Sequence, residues 1–346
     1  MKKFFALILF LAVAPLQAQS VRLHVERVGE LQSPDGGFID SMPLGVDPQG
    51  RIWVSTGMSI QLFRQDGTFL RSFGREGDGP NEFRLVGPVA FDGDSAFVLD
   101  LGRNRVVVFG PDLEEARSIN LSFRASWVAV TDRTIFLNGR ILDERDLAGY
   151  TVHEFTRAGD ARIASMDESP YLFQREYLGE RVLTGAAGGI WSVKRYHSPD
   201  LARYGHAGRE QGRFTISAEW AEPYETLTNP TPDTPPRWSI WSAHDDGRYV
   251  WIAGGTGDPD YRSALGDPVT VEGGRQAYQI GDHPEDIWDG VISAFDPARG
   301  DPLASVQVDE PALLVGPGPV FITYSRDDLG FFHYAVWRVR VERARR

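Results

Sequence analysis

The sequence predicts an all-β fold, a single six-bladed β-propeller whose last blade is closed by an N-terminal strand. Three observations carry this. A unit consisting of a turn-forming or polar segment and then an aliphatic, an aromatic and another aliphatic residue recurs six times along the chain. Runs inside the units, such as Arg105 to Phe109 and Ala96 to Asp100, are apolar on both faces, so each sheet must lie between two others. The last unit has material for only three strands, while an alternating segment near the N-terminus, Val21 to Val28, has no partner of its own.

The recurring aromatics are Trp53, Phe97, Phe136, Trp191, Trp251 and Phe321, which stand 44, 39, 55, 60 and 70 residues apart. Their fixed place on the second strand of each unit assigns them to the core rather than to a ligand-stacking surface. In the first unit Leu44 to Asp47 is a strand, Pro48-Gln49-Gly50 a turn and Arg51 to Ser55 the next strand. Ser59 to Arg64 and Thr68 to Phe73 follow, joined by the hairpin turn Asp66-Gly67. Four-stranded units that are apolar on both faces close naturally as blades around an axis, which leaves only short protected edges.

The first eighteen residues read as a signal peptide. Lys2 and Lys3 are a positive start, Phe4 to Ala14 is an apolar run too short to span a bilayer, and Ala18 offers a small residue at the cleavage position. Residues 19–346 then form one domain with 34 basic and 48 acidic side chains, net −14, in a periplasmic or secreted setting with no membrane span left after cleavage.

Composition narrows the function classes. The whole chain has 346 residues, is 42% hydrophobic and carries net charge −12. That charge excludes a general nucleic-acid binder, because a phosphate backbone needs a concentrated basic face. With no Cys there is no disulfide framework, no thiolate metal site and no thiol nucleophile.

Two stretches resemble a known class. Leu99 to Asp112, LDLGRNRVVVFGPD, looks like the core of an NHL-type propeller repeat. Gly74 to Phe83, GREGDGPNEF, resembles the link between blades in secreted bacterial six-bladed propellers of the NHL-like class, with Asn81 where that link usually has Gly. The resemblance covers about a quarter of the chain closely, and it implies a fold and an exported setting rather than a reaction.

Two segments break the regularity. Ala221 to Arg237 holds five prolines and reads as a rigid extended link from blade four to blade five. Gly254 to Trp288 inserts more than thirty residues between the second and third strands of blade five, a length that usually signals function.

Motifs for catalysis are absent: there is no G-x-S-x-G, H-E-x-x-H, Walker lysine or EF-hand loop. His244-Asp245-Asp246 reads as turn chemistry. Asp282, His283, Glu285 and Asp286 put an imidazole and three carboxylates in the insertion, the donor set of a calcium site; no other cofactor is expected. Arg84, Arg124, Arg181 and Arg237 stand just ahead of four successive innermost strands, where they would converge on an anionic ligand. Tyr261 and Trp288, with Tyr196 and Trp238, lie off the repeat pattern and are the candidates for ligand contact.

The function expected from these readings is an exported, non-enzymatic binding or scaffold propeller that recognises a protein partner or an anionic small molecule at its loop-bearing face. The alternative is a metal-dependent hydrolase or lyase resembling the six-bladed lactonases. That resemblance implies Glu, Asn and Asp near the innermost strands, where this sequence offers Asp47 and little else.

Overall fold

The computed structural model describes residues 21–38, 41–141, 149–168, 180–225, 229–270, 276–280, 283–298 and 302–343. The signal segment lies outside them. They form a six-bladed propeller of four-stranded antiparallel sheets. From the axis outward, blade one is Met42–Val46, Ile52–Ser55, Ile60–Phe63 and Phe69–Phe73, and blade two is Val86–Asp92, Ser95–Asp100, Arg105–Phe109 and Glu115–Asn120. Blade three is Arg124–Val130, Thr134–Arg140, Tyr150–Thr156 and Arg162–Glu168, and blade four is Arg181–Ala186, Gly189–Lys194, Asp200–Gly205 and Glu210–Thr215. Blade five is Ser239–Asp245, Val250–Gly257, Trp288–Phe295 and Pro302–Val308.

Blade six mixes the two chain ends. Ala312–Gly316, Val320–Arg326 and Phe332–Arg343 are followed outward by Val21–Glu30, which pairs antiparallel with the last strand from Val21 opposite Arg343 to Glu30 opposite Ala335. The closing strand also touches blade one. A Cβ on Gly67, whose φ is +90°, would lie 1.8 Å from the carbonyl oxygen of Glu30, and one on Gly29 would lie 2.5 Å from that of Asp66. The Asp66-Gly67 turn thus sits against the closing strand with no room for side chains, and Gln32 donates its amide to the Gly67 carbonyl at 3.0 Å.

Side chains on successive residues of a strand point to opposite faces, and here each face meets a neighbouring blade. Phe97 and Leu99 pack toward blade three, while Ala96 and Val98 pack toward blade one. Six apolar clusters result among the described residues, one at each blade boundary. Five of the six repeat aromatics, Trp53, Phe97, Phe136, Trp191 and Trp251, face the following blade. Phe321 breaks the series: it faces back into the boundary with blade five, stacked on Trp337 at 5.9 Å, while Val320 and Ile322 face blade one. In a strand a shift of one residue turns every side chain to the other face, so alignment on the aromatic is off by one in blade six.

The tryptophans of the repeat need acceptors for their buried indole N–H groups. Trp53 donates to Asp47 at 2.9 Å, Trp251 to Asp246 at 2.7 Å and Trp191 to Asp245 of the next blade at 2.8 Å. Asp47 and Asp246 also accept amide hydrogens from their own turns. One carboxylate therefore fixes both the turn and the core aromatic.

The proline-rich link is not an extended spacer. Tyr224 and Trp238 are buried at the boundary of blades four and five; the Tyr224 hydroxyl donates to the Trp238 carbonyl at 3.1 Å, and the Trp238 indole to the Glu222 carbonyl at 2.6 Å. The blade-five insertion forms a hairpin, Leu265–Thr270 with Gln276–Ile280, set between the short 3-10 turns Tyr261–Ala264 and Pro284–Ile287.

Candidate functional site

Antiparallel strands place the turns that follow the first and third strands of every blade at one end of the propeller. The links between blades and the blade-five insertion lie at the other. The second halves of all six innermost strands, with the turns after them, line a cavity of about 650 Å³ at the turn end of the channel. Its position follows from the inner strands. Five of the six bulge, at Leu44, Gly87-Pro88, Ser126, Trp241 and Leu313, before they reach the turn end. Small residues in the second halves of the inner strands, among them Ala90, Gly185, Ala186, Ala243 and Gly316, leave the axis open.

The lining combines apolar and polar groups. Trp127 lies along it, and its indole N–H donates to the Leu183 carbonyl of the next inner strand at 2.9 Å. Thr131, Thr184, Ser242 and His244 supply hydroxyls and an imidazole. Burial holds His244 below its ordinary range against the opposing pull of Asp246 and Asp245, so the ring is neutral at physiological pH. Asp92, Asp132 and Asp245 stand at the rim, and no Lys or Arg lines the cavity. Asp92 is ion-paired with Arg157, whose guanidinium also donates to the Thr131 carbonyl and lies 5.0 Å from the Phe97 ring centre.

The four arginines expected to converge on a ligand lie at the link end, opposite this cavity, and each has a different setting. Arg84 is half exposed and paired with Asp78 at 2.7 Å and Glu76 at 3.7 Å. The Asp78 carboxyl, hydrogen-bonded by Arg84 and Arg103, is held down to about 2. Arg181 is 1% exposed, donates to Asp167 at 2.7 Å, and ties blade four to blade three. Arg237 lies over the Tyr224 ring at 5.6 Å. Arg124 is exposed and paired in register with Arg140.

Tyr261 is 2% exposed and donates its hydroxyl to the carbonyls of Thr231 and Pro232 at 2.9 and 3.1 Å, so its ring anchors the insertion to the proline-rich link. Trp288 is half-buried, edge-on to Trp241 at 5.8 Å. Of the calcium donors, Asp282 lies outside the described residues. His283 Nδ1 is 3.2 Å from Glu285, which is 3% exposed and 4.0 Å from Arg326, and the Asp286 carboxyl is pushed up by burial and by Glu285. Among the described residues no three His, Asp or Glu side chains converge as a metal site. No helix among them is long and apolar enough to cross a membrane.

Sequence reasoning missed Trp127 and Thr184 and read His244 only as part of a turn. All three stand on inner strands. The only signal is their distance from the inner-strand start, which places them toward the turn end.

No protein-family model matches the chain, and no curated protein matches it. Solved structures do. A Bacteroides fragilis protein that carries the name of an exported protein matches with a TM-score of 0.59 at 11% identity, over 93% of this chain and 96% of that one. A member of the DUF4221 family from Bacteroides vulgatus matches with a TM-score of 0.59 at 10% identity, over 94% of this chain and 100% of that one. At such identities the likeness is one of fold, and the fold it shows is the propeller.

Proposed function

We propose that the chain is an exported, non-enzymatic binding propeller that takes a small molecule into the channel cavity from the turn end. The observation that carries this reading is the cavity itself: about 650 Å³, walled by all six blades, with polar and apolar groups sharing the lining almost evenly. Ligand sites have this size. Export rests on the N-terminal pattern of Lys2, Lys3 and the apolar run to Ala14, with the name of one fold neighbour in support.

The metal-dependent hydrolase reading finds less support. Its best candidate, Asp47, is 1% exposed, and its two carboxylate oxygens accept from Arg51, Trp53 and the turn amides. A metal would have to displace those donors and release the blade-one turn.

The test is a thermal-shift screen of a broad small-molecule set against residues 19–346, alongside Ala90→Trp and Ala186→Trp, which fill the cavity from two different blades. A ligand of the folded state raises the midpoint. Hits that stabilise the parent chain and lose their effect in both filled variants support the reading. Hits that stabilise all three proteins equally place the site elsewhere.

A further inference from the structure

The channel cavity is two-sided. Blades six, one and two give it an apolar half-wall that includes Leu314, Val315, Leu44, Val46, Val89 and Phe91. Blades three, four and five carry most of its polar side chains, Thr131, Thr184, Ser242, His244, Asp132 and Asp245, set among apolar residues such as Trp127, Val128 and Leu183, and blade two adds Asp92. In a six-membered ring blade two stands opposite blade five, so Phe91 and Val89 face the side that carries His244 and Asp245.

The charge on the cavity lining has one sign. The cavity lining contains three carboxylates and no Lys or Arg. Asp92 is neutralised by Arg157. Asp132 has Arg133 at 3.6 Å, but both side chains are about three-quarters exposed, at 74% and 75%, where such a pair is worth little. Asp245 has no ion-pair partner among the described residues; its oxygens accept from the Trp191 indole at 2.8 Å and the Gly247 amide at 2.7 Å, and a carboxylate has lone pairs to spare for a further donor. Asp246 adds a second negative charge beside it. His244, kept neutral by burial, adds no compensating positive charge. A concave mouth with low-dielectric walls focuses such a field.

We infer that the ligand of this cavity is an organic amine, with its ammonium group at Asp245 on the blade-five side and its apolar ring against the Val89 and Phe91 wall. This rests on the channel reading above and refines it. It assigns the cavity a ligand of charge opposite to the anion that the arginines suggested, because those arginines stand at the other end of the channel.

Three probes share one ring and differ in charge: tryptamine, tryptophol and indole acetate. Their affinities for residues 19–346 are measured by ligand-observed NMR and by thermal shift. Tryptamine binds about fivefold or more tightly than tryptophol, as a contact between unit charges in a wet site gives, and indole acetate binds weakest. Asp245→Asn removes the preference for tryptamine over tryptophol. Since Asp245 also holds Trp191, Asp132→Asn is run as a second variant and narrows the same preference without touching the core.

Preference for indole acetate, or a preference for tryptamine that survives both Asp variants, overturns the inference. In either case loss of binding in Ala90→Trp leaves the channel reading standing. Binding of all three probes that persists in Ala90→Trp and Ala186→Trp overturns the channel reading as well. No response to any probe overturns the amine assignment, and the channel reading is then decided by the broad screen.

Discussion

Trp191 of blade four donates its indole N–H across the blade boundary to Asp245 of blade five at 2.8 Å, and Asp245 stands at the rim of the channel cavity. The bond joins the core to the candidate site. Trp191 is 0% exposed, so Trp191→Ala should destabilise by about 3–5 kcal/mol, as truncated core aromatics do. Trp191→Phe retains most of the packing and removes one bond to a charged acceptor, for about 1–3 kcal/mol. Urea unfolding at neutral pH measures both. A Trp191→Phe variant as stable as the parent would mean that the hydrogen bond contributes nothing.

Ring closure gives a second prediction. Removing residues 19–30 deletes the outer strand of blade six, exposes the edge of Phe332–Arg343 and leaves the Asp66-Gly67 turn without the backbone it sits against. The truncated chain should melt far below the intact one and aggregate on heating, as followed by light scattering. Gly67→Ala should act in the same direction, since the new methyl would meet the Glu30 carbonyl and φ is +90°. A midpoint within a degree or two of the parent in both variants would remove the N-terminal strand from the closure.

The blades were legible because their signals are local. Turn residues, two-faced apolar runs and an aromatic on each second strand lie within a few positions of one another, and Asp47 with Trp53 are only six residues apart. Asn81, the departure from Gly in the first link, takes φ of 56°, a conformation Asn tolerates better than most residues. The candidate site was less legible because its geometry is non-local. Arg181 meets Asp167 through the blade packing, and Trp191 meets Asp245 at a separation of 54 residues. The inner-strand bulges carry no residue signature, since Leu44, Ser126, Trp241 and Leu313 share no chemistry. Blade six slipped by one because Phe321 satisfies the pattern while the turn before it, Gly316 to Pro319, sets a different register.

His153 in blade three is fully buried, with one ring nitrogen 2.8 Å from the Ser165 hydroxyl and the other 3.3 Å from the Gly139 carbonyl. The carbonyl can only accept, so Nε2 carries the hydrogen and Nδ1 accepts from Ser165. Burial depresses this imidazole to about 4, from an unfolded value of 6.5. Below that unfolded value the denatured chain takes up a proton that the folded chain refuses, so stability falls as pH drops from about 6.5 toward about 4. The expected loss is about 2–3 kcal/mol over that window. His153→Gln, which can keep a donor and an acceptor, should flatten this part of the profile in urea titrations. An unchanged slope would show that other groups set it.

Asp289 runs the opposite way. It is the second residue of the blade-five strand that follows the insertion, paired in register with Thr256, while Asp258 closes the neck by donating its amide to the Ile287 carbonyl at 3.0 Å. Burial, then the Asp258 charge and the carboxyl contact with Asp258, push Asp289 up to about 6; Asp309 adds to this, and Gln307, which donates to it at 3.0 Å, opposes it. Two carboxyl groups in contact need a proton between them. In the unfolded chain Asp289 ionises near 3.8, so between about pH 4 and about pH 6 the unfolded state binds fewer protons than the folded one, and stability falls as pH rises. Discounted for solvent at the neck, the loss is about 1–2 kcal/mol by neutral pH. Asp289→Asn keeps an acceptor for Gln307 and gives Asp258 a permanent donor, so the variant should be more stable than the parent near pH 7 and equal to it near pH 4. Amide hydrogen exchange should localise the gain to Val250–Gly257 and Trp288–Phe295, the strands that bear the insertion. A variant less stable than the parent at neutral pH would show that the Asp258 and Asp289 carboxyls do not share a proton.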